Sequence, residues 1–198
     1  MIRPYWSVLA VALAVAVPAG ANETPTPEVP AQQAPAKTPA EQAAELFDRL
    51  AHAQDPDEAA GIVSAIDRLW LESGSDTSDL LMSRALQAMQ DKNYPLALEV
   101  LDAVVDLRPD WAEGWNKRAT VRYFAGDSEG SMADIAETLK REPRHLGALA
   151  GLGAILEESG QREEALRAYE RGLEIAPHFQ PMKDSVERLK AALAGQTL

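Results

Sequence analysis

The sequence contains no cysteine, and this absence excludes several kinds of chemistry. Without thiols, the chain cannot form disulfides, use a cysteine nucleophile, build a cysteine-ligated zinc site or carry a lipid on cysteine. Histidine is also scarce, with three in 198 residues, and no H-E-x-x-H or comparable ligand spacing occurs. We therefore expect neither a metal site nor any other cofactor.

Basic residues are outnumbered, with 19 Lys and Arg against 31 Asp and Glu, which gives a net charge of −12 at pH 7. Proteins that bind nucleic acid present a basic face to the phosphates, so this balance argues against a nucleic-acid partner. An acidic surface is repelled by anionic membranes and favours basic or neutral partners. The 46% content of hydrophobic residues is that of a globular chain able to bury a core.

Motifs for catalysis are missing as well. The sequence has no glycine-rich phosphate loop and no serine nucleophile elbow. Neighbouring acids such as Glu157 and Glu158 point about 100° apart on a helix, so they do not face one substrate together. The segment 55–60 lacks the residues that a calcium-binding loop needs at its fifth and sixth positions. We therefore predict that the protein is not an enzyme.

Residues 1–21 are typical of a secretory signal peptide. Arg3 gives a positive start, an apolar run covers 6–17, and Ala19-Gly20-Ala21 matches an A-x-A cleavage site. The apolar run is shorter than the ~20 residues that a membrane-spanning helix needs. We expect export, cleavage, a periplasmic mature chain and no stable membrane insertion; a retained signal that acts as an anchor is the alternative.

Residues 22–38 form a proline-rich segment with few apolar side chains. Such a composition cannot bury enough surface to offset the entropy of ordering, and frequent prolines favour extended conformations. We predict a disordered linker that acts as a spacer.

From residue 39 onward the sequence has helical periodicity and no credible strand, so the predicted fold class is all-α. Thr38, ahead of Pro39 and Glu41, forms a helix-capping signal, and Asp55 and Asp110 stand in equivalent places. Glycines stand where three helices should stop, at positions 74, 126 and 160. The predicted helices cover 39–53, 56–72, 77–91, 95–107, 111–125, 128–141, 145–158, 162–175 and 181–194.

Three prolines follow one another at intervals of 34 residues, at positions 109, 143 and 177. A fixed period of this length is typical of a solenoid built from helix pairs. In this alignment, the first helix of each pair has a small residue where the second helix crosses closely, at Ala85, Ala119 and Gly153. The second helix has its own small residue at Ala97, Ser131 and Ala165. The proline ends the second helix and sets the turn.

The third pair resembles the tetratricopeptide repeat (TPR) pattern in its apolar, small, aromatic and proline positions, at Leu149, Leu152, Gly153, Leu156, Ala165, Tyr169 and Pro177. The resemblance implies a right-handed TPR solenoid with three clear repeats over 78–179. Residues 39–77 look like a degenerate N-terminal helix pair, although the loop 74–77 breaks the 34-residue register. Residues 180–198 look like a C-terminal capping helix. Arg122 departs from the pattern at a position where an aromatic is usual.

The chain also looks like exported TPR proteins of alphaproteobacteria. The stretches that carry this likeness are 73–82, 112–116 and 142–145. It implies no assigned activity.

TPR arrays bind peptides or proteins in a concave groove lined by the first helix of each repeat. The resemblance implies that the groove of this chain is lined by Met82, Leu86, Met89, Asn116, Thr120, Tyr123 and Phe124. The same surface continues at Asp79, Ala150, Ala154, Glu157 and Glu158, so it is apolar at first and acidic toward its C-terminal end. Alternatively, Met82, Leu86 and Met89 are covered by the N-terminal pair or the linker, because a stripe at this spacing is often core.

One TPR subclass grips C-terminal carboxylates with Lys and Asn at fixed groove positions, which hold Met82, Asn116 and Ala150 here. Since none of them is Lys, we expect that a peptide with an acidic C-terminal motif does not bind. Arg84 and Arg118 occupy one repeat position, and Arg122 lies a turn beyond Arg118. They are either anchors for an acidic ligand or structural partners of carboxylates within the array, such as Asp79 or Glu113.

These observations favour a periplasmic, non-enzymatic TPR adaptor that binds an unidentified protein or peptide in its groove. The alternative is a self-associating structural spacer in an envelope assembly, which would be a homo-oligomer.

Overall fold

The computed structural model describes residues 37–195, and this part of the chain is all-α, in agreement with the prediction. Its helices are α1 (Pro39–Ala51), α2 (Pro56–Trp70), α3 (Asp76–Gln90), α4 (Tyr94–Leu107), α5 (Ala112–Phe124), α6 (Ser128–Arg141), α7 (Leu146–Glu158), α8 (Arg162–Ile175) and α9 (Gln180–Ala194). Each helix begins and ends within about two residues of its predicted bounds. The signal peptide predicted at 1–21, and the linker predicted at 22–38 up to residue 36, lie outside the described residues.

Side chains at the helix termini explain most of these boundaries. Thr38 and Glu41 form a capping box, in which the Glu41 carboxylate accepts from the Thr38 amide at 2.8 Å. Asp55 caps α2 by accepting from the amide of Glu58 at 2.8 Å. Asp110 does not cap α5 as predicted, because its carboxylate pairs instead with Arg108 at 3.2 Å. Gly126, after α5, has φ = +86°, a conformation that favours glycine.

Helices α3–α4, α5–α6 and α7–α8 form three antiparallel pairs that pack side by side, and α9 packs on α8. The small residues lie at the predicted crossings, and Ala85, Ala97 and Ala165 are completely buried. The hydroxyl of Ser131 donates to the carbonyl of Ala119 at 2.8 Å, which joins α5 and α6 directly. The 34-residue spacing therefore identifies the packing unit correctly.

The first pair, α1–α2, is placed differently from an additional repeat at the N-terminal end. Although α2 and α3 are consecutive, they do not pack along each other, whereas α1 contacts α8. Buried residues of the hairpin, including Leu50 and Ile66, belong to the same core as Leu149 and Tyr169 of the third pair. The hairpin therefore folds back over the array instead of extending it.

Polar contacts hold the connection between α2 and α3 in this arrangement. Gly74 has φ = +74° and allows the chain to turn sharply. The amide of Ser73 donates to the Asp79 carboxylate at 2.8 Å, and the Arg108 guanidinium donates to the carbonyl of Ser73. Within residues 37–195, none of the helices is both long and apolar enough to cross a membrane.

Candidate functional site

The first helices of the three pairs, α3, α5 and α7, form a surface that we call the inner face. The α1–α2 hairpin covers the N-terminal ends of α5 and α7 on this face. The ring of Trp70 stacks on His145 with centroids 4.3 Å apart, and the Trp111 indole N–H donates to the Trp70 carbonyl at 2.8 Å. Because the hairpin occupies this end, the remaining accessible part of the inner face is the half toward the turns at 125–127 and 159–161.

A buried polar cluster lies beneath the hairpin and is centred on Glu113. Its carboxylate accepts from the His145 Nε2–H at 2.8 Å, from Asn116 at 3.1 Å and from the Lys117 ammonium at 2.7 Å. His145 Nδ1 accepts from the amide of Ala148 at 3.2 Å and so caps α7. Because Nδ1 is an acceptor, this geometry places the imidazole proton on Nε2.

The two carboxylates near this cluster have pKa values displaced in opposite directions. Burial acts to raise the pKa of Glu113, but the His145 hydrogen bond and the Lys117 charge outweigh it and hold the pKa below its ordinary value. Partial desolvation, followed by the charge of Glu113, raises the pKa of Asp67 on α2, although the Asp67 side chain remains exposed to solvent. The stacking of Trp70 on His145 is the direct evidence that α2 covers this end of the inner face.

A cavity of about 100 Å³ opens between α5, α6 and α7, and we call it the inner-face cavity. It extends from Asn116 and Gly147, in the first half of α5 and α7, to Phe124 at the end of α5. Four predicted groove residues, Asn116, Thr120, Tyr123 and Phe124, lie on its α5 side. The full lining consists of these four with Ala119, Ser131, Ile135, Gly147, Gly151, Ala154 and Ile155. The structure thus brings the predicted residues of the second repeat together around one concave feature.

The two walls of the inner-face cavity differ in the size of their side chains. The α7 wall presents Gly147, Gly151 and Ala154, with Ile155 as its one large side chain. A Cβ at Gly151 would lie 3.4 Å from Ile135 Cδ1, so Ile135 bounds the cavity opposite this glycine. The cleft therefore has a wall of small residues opposite a wall with aromatic side chains.

Phe124 and Tyr123 form the aromatic rim of the cavity. Phe124 is 58% exposed, yet its ring stacks on Tyr94 with centroids 6.3 Å apart and contacts Tyr123 at 5.5 Å. The Tyr123 hydroxyl donates to the Glu158 carboxylate, and this hydrogen bond raises the pKa of the phenol. An exposed aromatic ring held by two others is a preorganised contact surface.

The predicted groove residues of the first repeat do not reach this cavity. Met82 is 2% exposed and lies in the core with Leu101 and Val104, and Leu86 and Met89 pack partly buried against the same core. This corrects the expectation that Met82 is open to a ligand. Helix α3 has apolar side chains on more than one side, and the side that carries Met82 packs against α4. Asn116 is also largely buried and donates to Glu113.

Arg118 and Arg122 of α5 have carboxylate partners within the array. Arg118 binds both oxygens of Asp134 at 2.9 and 2.8 Å and also contacts Asp102 at 2.8 Å. Arg122 lies 3.0 Å from Asp134. For Arg118 and Arg122 these contacts support the structural alternative, with Asp134 and Asp102 as partners in place of the expected Asp79 or Glu113, whereas Arg84 forms no ion pair within residues 37–195.

Sequence reasoning missed the roles of Glu113, Lys117 and Ile135. Glu113 and Lys117 occupy inner-face positions of α5. Nothing in their spacing indicates that Glu113 binds His145, which is buried and lies 32 residues away in the sequence. Ile135 contributes from the second helix of the pair, so a rule based on first helices cannot find it. Among residues 37–195, no three acidic or histidine side chains converge as metal ligands would.

Comparisons with known proteins all find similarity to proteins that contain tetratricopeptide repeats. The family model for the tetratricopeptide repeat matches residues 147–179, which cover α8 and all of α7 except its first residue. A TPR repeat-containing protein of Rhizobium etli is 42% identical over 164 residues, covering 83% of this chain and 80% of that protein. A small glutamine-rich TPR-containing protein of Mycosarcoma maydis is 26% identical over 120 residues, but the match spans 34% of its length.

Solved structures show the same fold at low sequence identity. The first TPR of Spaghetti (RPAP3), bound to the HSP90 peptide SRMEEVD, has a TM-score of 0.56 at 20% identity and covers 59% of this chain and 93% of that one. The Sgt2 TPR domain from Aspergillus fumigatus has a TM-score of 0.58 at 23% identity, with coverages of 62% and 83%. MamA has a TM-score of 0.55 at 17% identity, with coverages of 79% and 83%. These likenesses concern the arrangement of the helices.

Proposed function

This chain belongs to the tetratricopeptide repeat family, and we propose that it is a non-enzymatic adaptor that holds a segment of a partner protein against its inner face. Helix-pair arrays present extended concave surfaces, and the family is associated with protein–protein interaction. The observation that carries the proposal is the inner-face cavity, which four predicted groove residues line next to an exposed aromatic ring.

The size of the cavity favours one apolar side chain as the anchoring group of the partner segment. A dry cavity of about 150 Å³ holds a benzene ring, so a volume of about 100 Å³ suits an aliphatic side chain. The Thr120 hydroxyl already donates to the carbonyl of Asn116 at 2.9 Å, which leaves the lining mainly apolar. The expected ligand is therefore a peptide segment with a protruding leucine, isoleucine or methionine.

Charge at the C-terminal end of the inner face favours a neutral or basic flank on that segment. Glu158 accepts from Tyr123, so this carboxylate lies beside the aromatic rim of the cleft, whereas Glu157 pairs with Arg188 of α9 at 2.9 Å. Together with the net charge of −12, the Glu158 carboxylate repels acidic ligands. The HSP90 peptide bound by the Spaghetti domain is acidic, and we do not extend that ligand to this chain.

We further propose that the adaptor acts in the periplasm. Support for this location comes from the signal-peptide pattern of residues 1–21 and from the absence of cysteine. Cell fractionation of the tagged protein, with the N-terminus of the recovered chain determined by mass spectrometry, tests it. Recovery in the cytoplasmic fraction with an uncleaved N-terminus would contradict this location.

Capture of the partner tests the adaptor function. The protein, tagged at its C-terminus, is crosslinked in its native envelope, and the recovered proteins are identified by mass spectrometry. A Tyr123→Ala/Phe124→Ala variant removes the aromatic rim, and Met132→Ala serves as the matched control because Met132 is an exposed apolar residue away from the cavity.

We expect a partner that the wild type and Met132→Ala recover equally and that the rim variant loses. Circular dichroism shows whether all three proteins keep their helix content. Equal recovery by the rim variant would mean that the ligand binds elsewhere, and the proposed site would be wrong.

A further inference from the structure

The outer face of the first pair, α3–α4, has an apolar stripe that no other helix of residues 37–195 covers. On α4, Leu96, Val100, Ala103 and Leu107 follow one another at helical spacing, and Leu96 and Leu107 are 45% and 54% exposed. Leu80 of α3 lies one helical turn before Arg84 and is 61% exposed. We call this surface the end face.

The end face is open because of where the first hairpin packs. Inside the array, each pair is covered by its neighbour so closely that a Cβ on Gly114 of α5 would lie 3.1 Å from Val104 of α4. The α1–α2 hairpin could cover α3–α4 in the same way, but it packs on the third pair instead. A groove of about 440 Å³ remains between α3 and α4, bordered by Arg84, Leu96 and Val100.

The contact between the first and second pairs shows which groups meet when one helix pair covers the next. Arg118 of α5 contacts Asp134 of its own pair and reaches Asp102 of the preceding pair at 2.8 Å. Arg84 occupies the position of Arg118 one repeat earlier, and Val100 occupies that of Asp134. Arg84 therefore lacks the internal carboxylate, and within residues 37–195 it has no ion-pair partner.

The end face carries acidic side chains that could pair with the Arg84 of a second copy. Glu99 and Asp106 of α4 flank the apolar stripe, and within the described residues neither forms a salt bridge. A two-fold axis through the stripe would place leucines against leucines and would bring Arg84 of each copy toward carboxylates of the other. Such a surface is self-complementary, which is the requirement for an isologous dimer.

The opposite end of the array favours this closed arrangement over a head-to-tail chain. There α9 covers the third pair, and its outward side chains include Asp184, Glu187 and Lys190. A polar helix does not complement the apolar end face, so stacking of one end on the other is disfavoured.

We propose that the end face is a dimerisation surface that joins two copies of this chain through α4, with Arg84 paired to acidic residues of the other copy. The proposal does not involve the inner-face cavity, so the dimer leaves both adaptor sites accessible. It would make the protein a bivalent adaptor.

Sedimentation equilibrium of the purified protein, from micromolar to submillimolar concentration, tests the proposal. We expect a monomer–dimer equilibrium in the wild type. Leu96→Glu/Leu107→Glu buries charge in the interface and weakens the dimer by roughly a hundredfold or more. Met132→Glu, on α6, is the control and leaves the equilibrium unchanged.

Charge reversal separates the specific contact from general loss of apolar surface. Arg84→Glu alone is expected to weaken the dimer, and Arg84→Glu/Glu99→Arg/Asp106→Arg to restore it. Circular dichroism and thermal melting check that each variant remains folded. A monomeric wild type, or a dimer that survives Leu96→Glu/Leu107→Glu, would overturn the proposal; in the first case the end face is covered by residues 1–36 or by another protein.

Discussion

The ring of Tyr169 in α8 lies directly on Gly153 of α7. A Cβ built on Gly153 would come within 2.6 Å of the Cε1 and Cζ atoms of this ring, a distance that real structures do not contain. Tyr169 is itself buried, and this burial raises the pKa of its phenol. The contact gives a physical reason for glycine at the crossing position of the third repeat, where the first two repeats have alanine.

Gly153→Ala is therefore expected to lower the free energy of unfolding by about 1–3 kcal/mol through overpacking against a rigid ring. The substitution gains up to about 1 kcal/mol in helix propensity, which is too little to offset the clash. Urea denaturation followed by circular dichroism measures the difference.

Gly61→Ala is the matched control, because Gly61 is also in a helix but has no atom within 4 Å of its built Cβ. We expect this change to raise the free energy of unfolding by about 0.5–1 kcal/mol. If both substitutions changed stability in the same direction, the packing of α8 on Gly153 would differ from that described.

The three stacked pairs could be predicted because the residues that determine their packing lie close together in sequence and recur in each repeat. Small residues at Ala85, Ala119 and Gly153 recur at one spacing, and the same physical demand for a close helix crossing applies at each. The position of α1–α2 could not be predicted in this way. Its contacts join Trp70 to His145, far apart in sequence, and no periodicity within one pair specifies such a partner.

The candidate site was predictable where the repeat position alone decides which way a side chain faces. Thr120 and Tyr123 follow from that position, and they line the cavity. Met82 has an equally suitable position, but α3 is apolar on several sides, and its spacing does not show which side is buried. The cavity also depends on small residues such as Gly151. A glycine in a helix does not by itself show whether it allows a close helix crossing or lines a cavity, so the cavity could not be predicted from the sequence.

The Glu113–His145 pair predicts a pH dependence of stability. The pKa of Glu113 is lower in the folded chain than in the unfolded chain. Its contribution is therefore present above the unfolded pKa and is lost as the pH falls through the folded pKa. Glu113→Gln keeps an acceptor for His145 but loses the charge, so we expect it to be less stable at pH 7 by about 1–3 kcal/mol. Its stability should also depend less on pH below about 4.3, the ordinary pKa of glutamate.

Asp67→Asn is the control of opposite sign. The pKa of Asp67 is raised in the folded chain, so this carboxylate is disfavoured once ionised, and its unfavourable contribution grows as the pH rises through the folded pKa. We expect Asp67→Asn to match or exceed the wild-type melting temperature at pH 7 and to converge with it in acid. Lower stability of Asp67→Asn at neutral pH would contradict the placement of α2 beside Glu113.

Acidic C-terminal peptides are expected not to bind this chain. Met82 and Asn116, at two of the positions that would hold a terminal carboxylate, are buried, and the Glu158 carboxylate lies beside the aromatic rim of the inner-face cavity. Fluorescence anisotropy with labelled SRMEEVD measures the affinity, and the first TPR of Spaghetti provides the positive control. Saturable binding to this chain at the affinity of the control would show that the inner face accepts acidic ligands after all.

Trp70 is expected to fix the α1–α2 hairpin on the array. Its ring stacks on His145, and the centroids of the Trp70 and Phe47 rings are 5.8 Å apart. The Trp70 carbonyl accepts from the indole N–H of Trp111. Loss of the ring removes the first two contacts, so Trp70→Ala should release the hairpin while the stacked pairs remain folded. Hydrogen exchange measured by mass spectrometry should then be faster in 39–70 and nearly unchanged in 76–141.

The control for this experiment is Trp115→Ala, at another tryptophan that contacts arginines instead of the hairpin. The Trp115 ring lies between Arg118 and Arg141, with centroid distances of 4.8 and 4.6 Å, and its indole N–H donates to the carbonyl of Pro109. Its removal should speed exchange near the junction of the first and second repeats and spare 39–70. Faster exchange throughout the chain in Trp70→Ala would mean that hairpin and array unfold as one unit, because the shared core with α7 and α8 then couples them too tightly for separate opening.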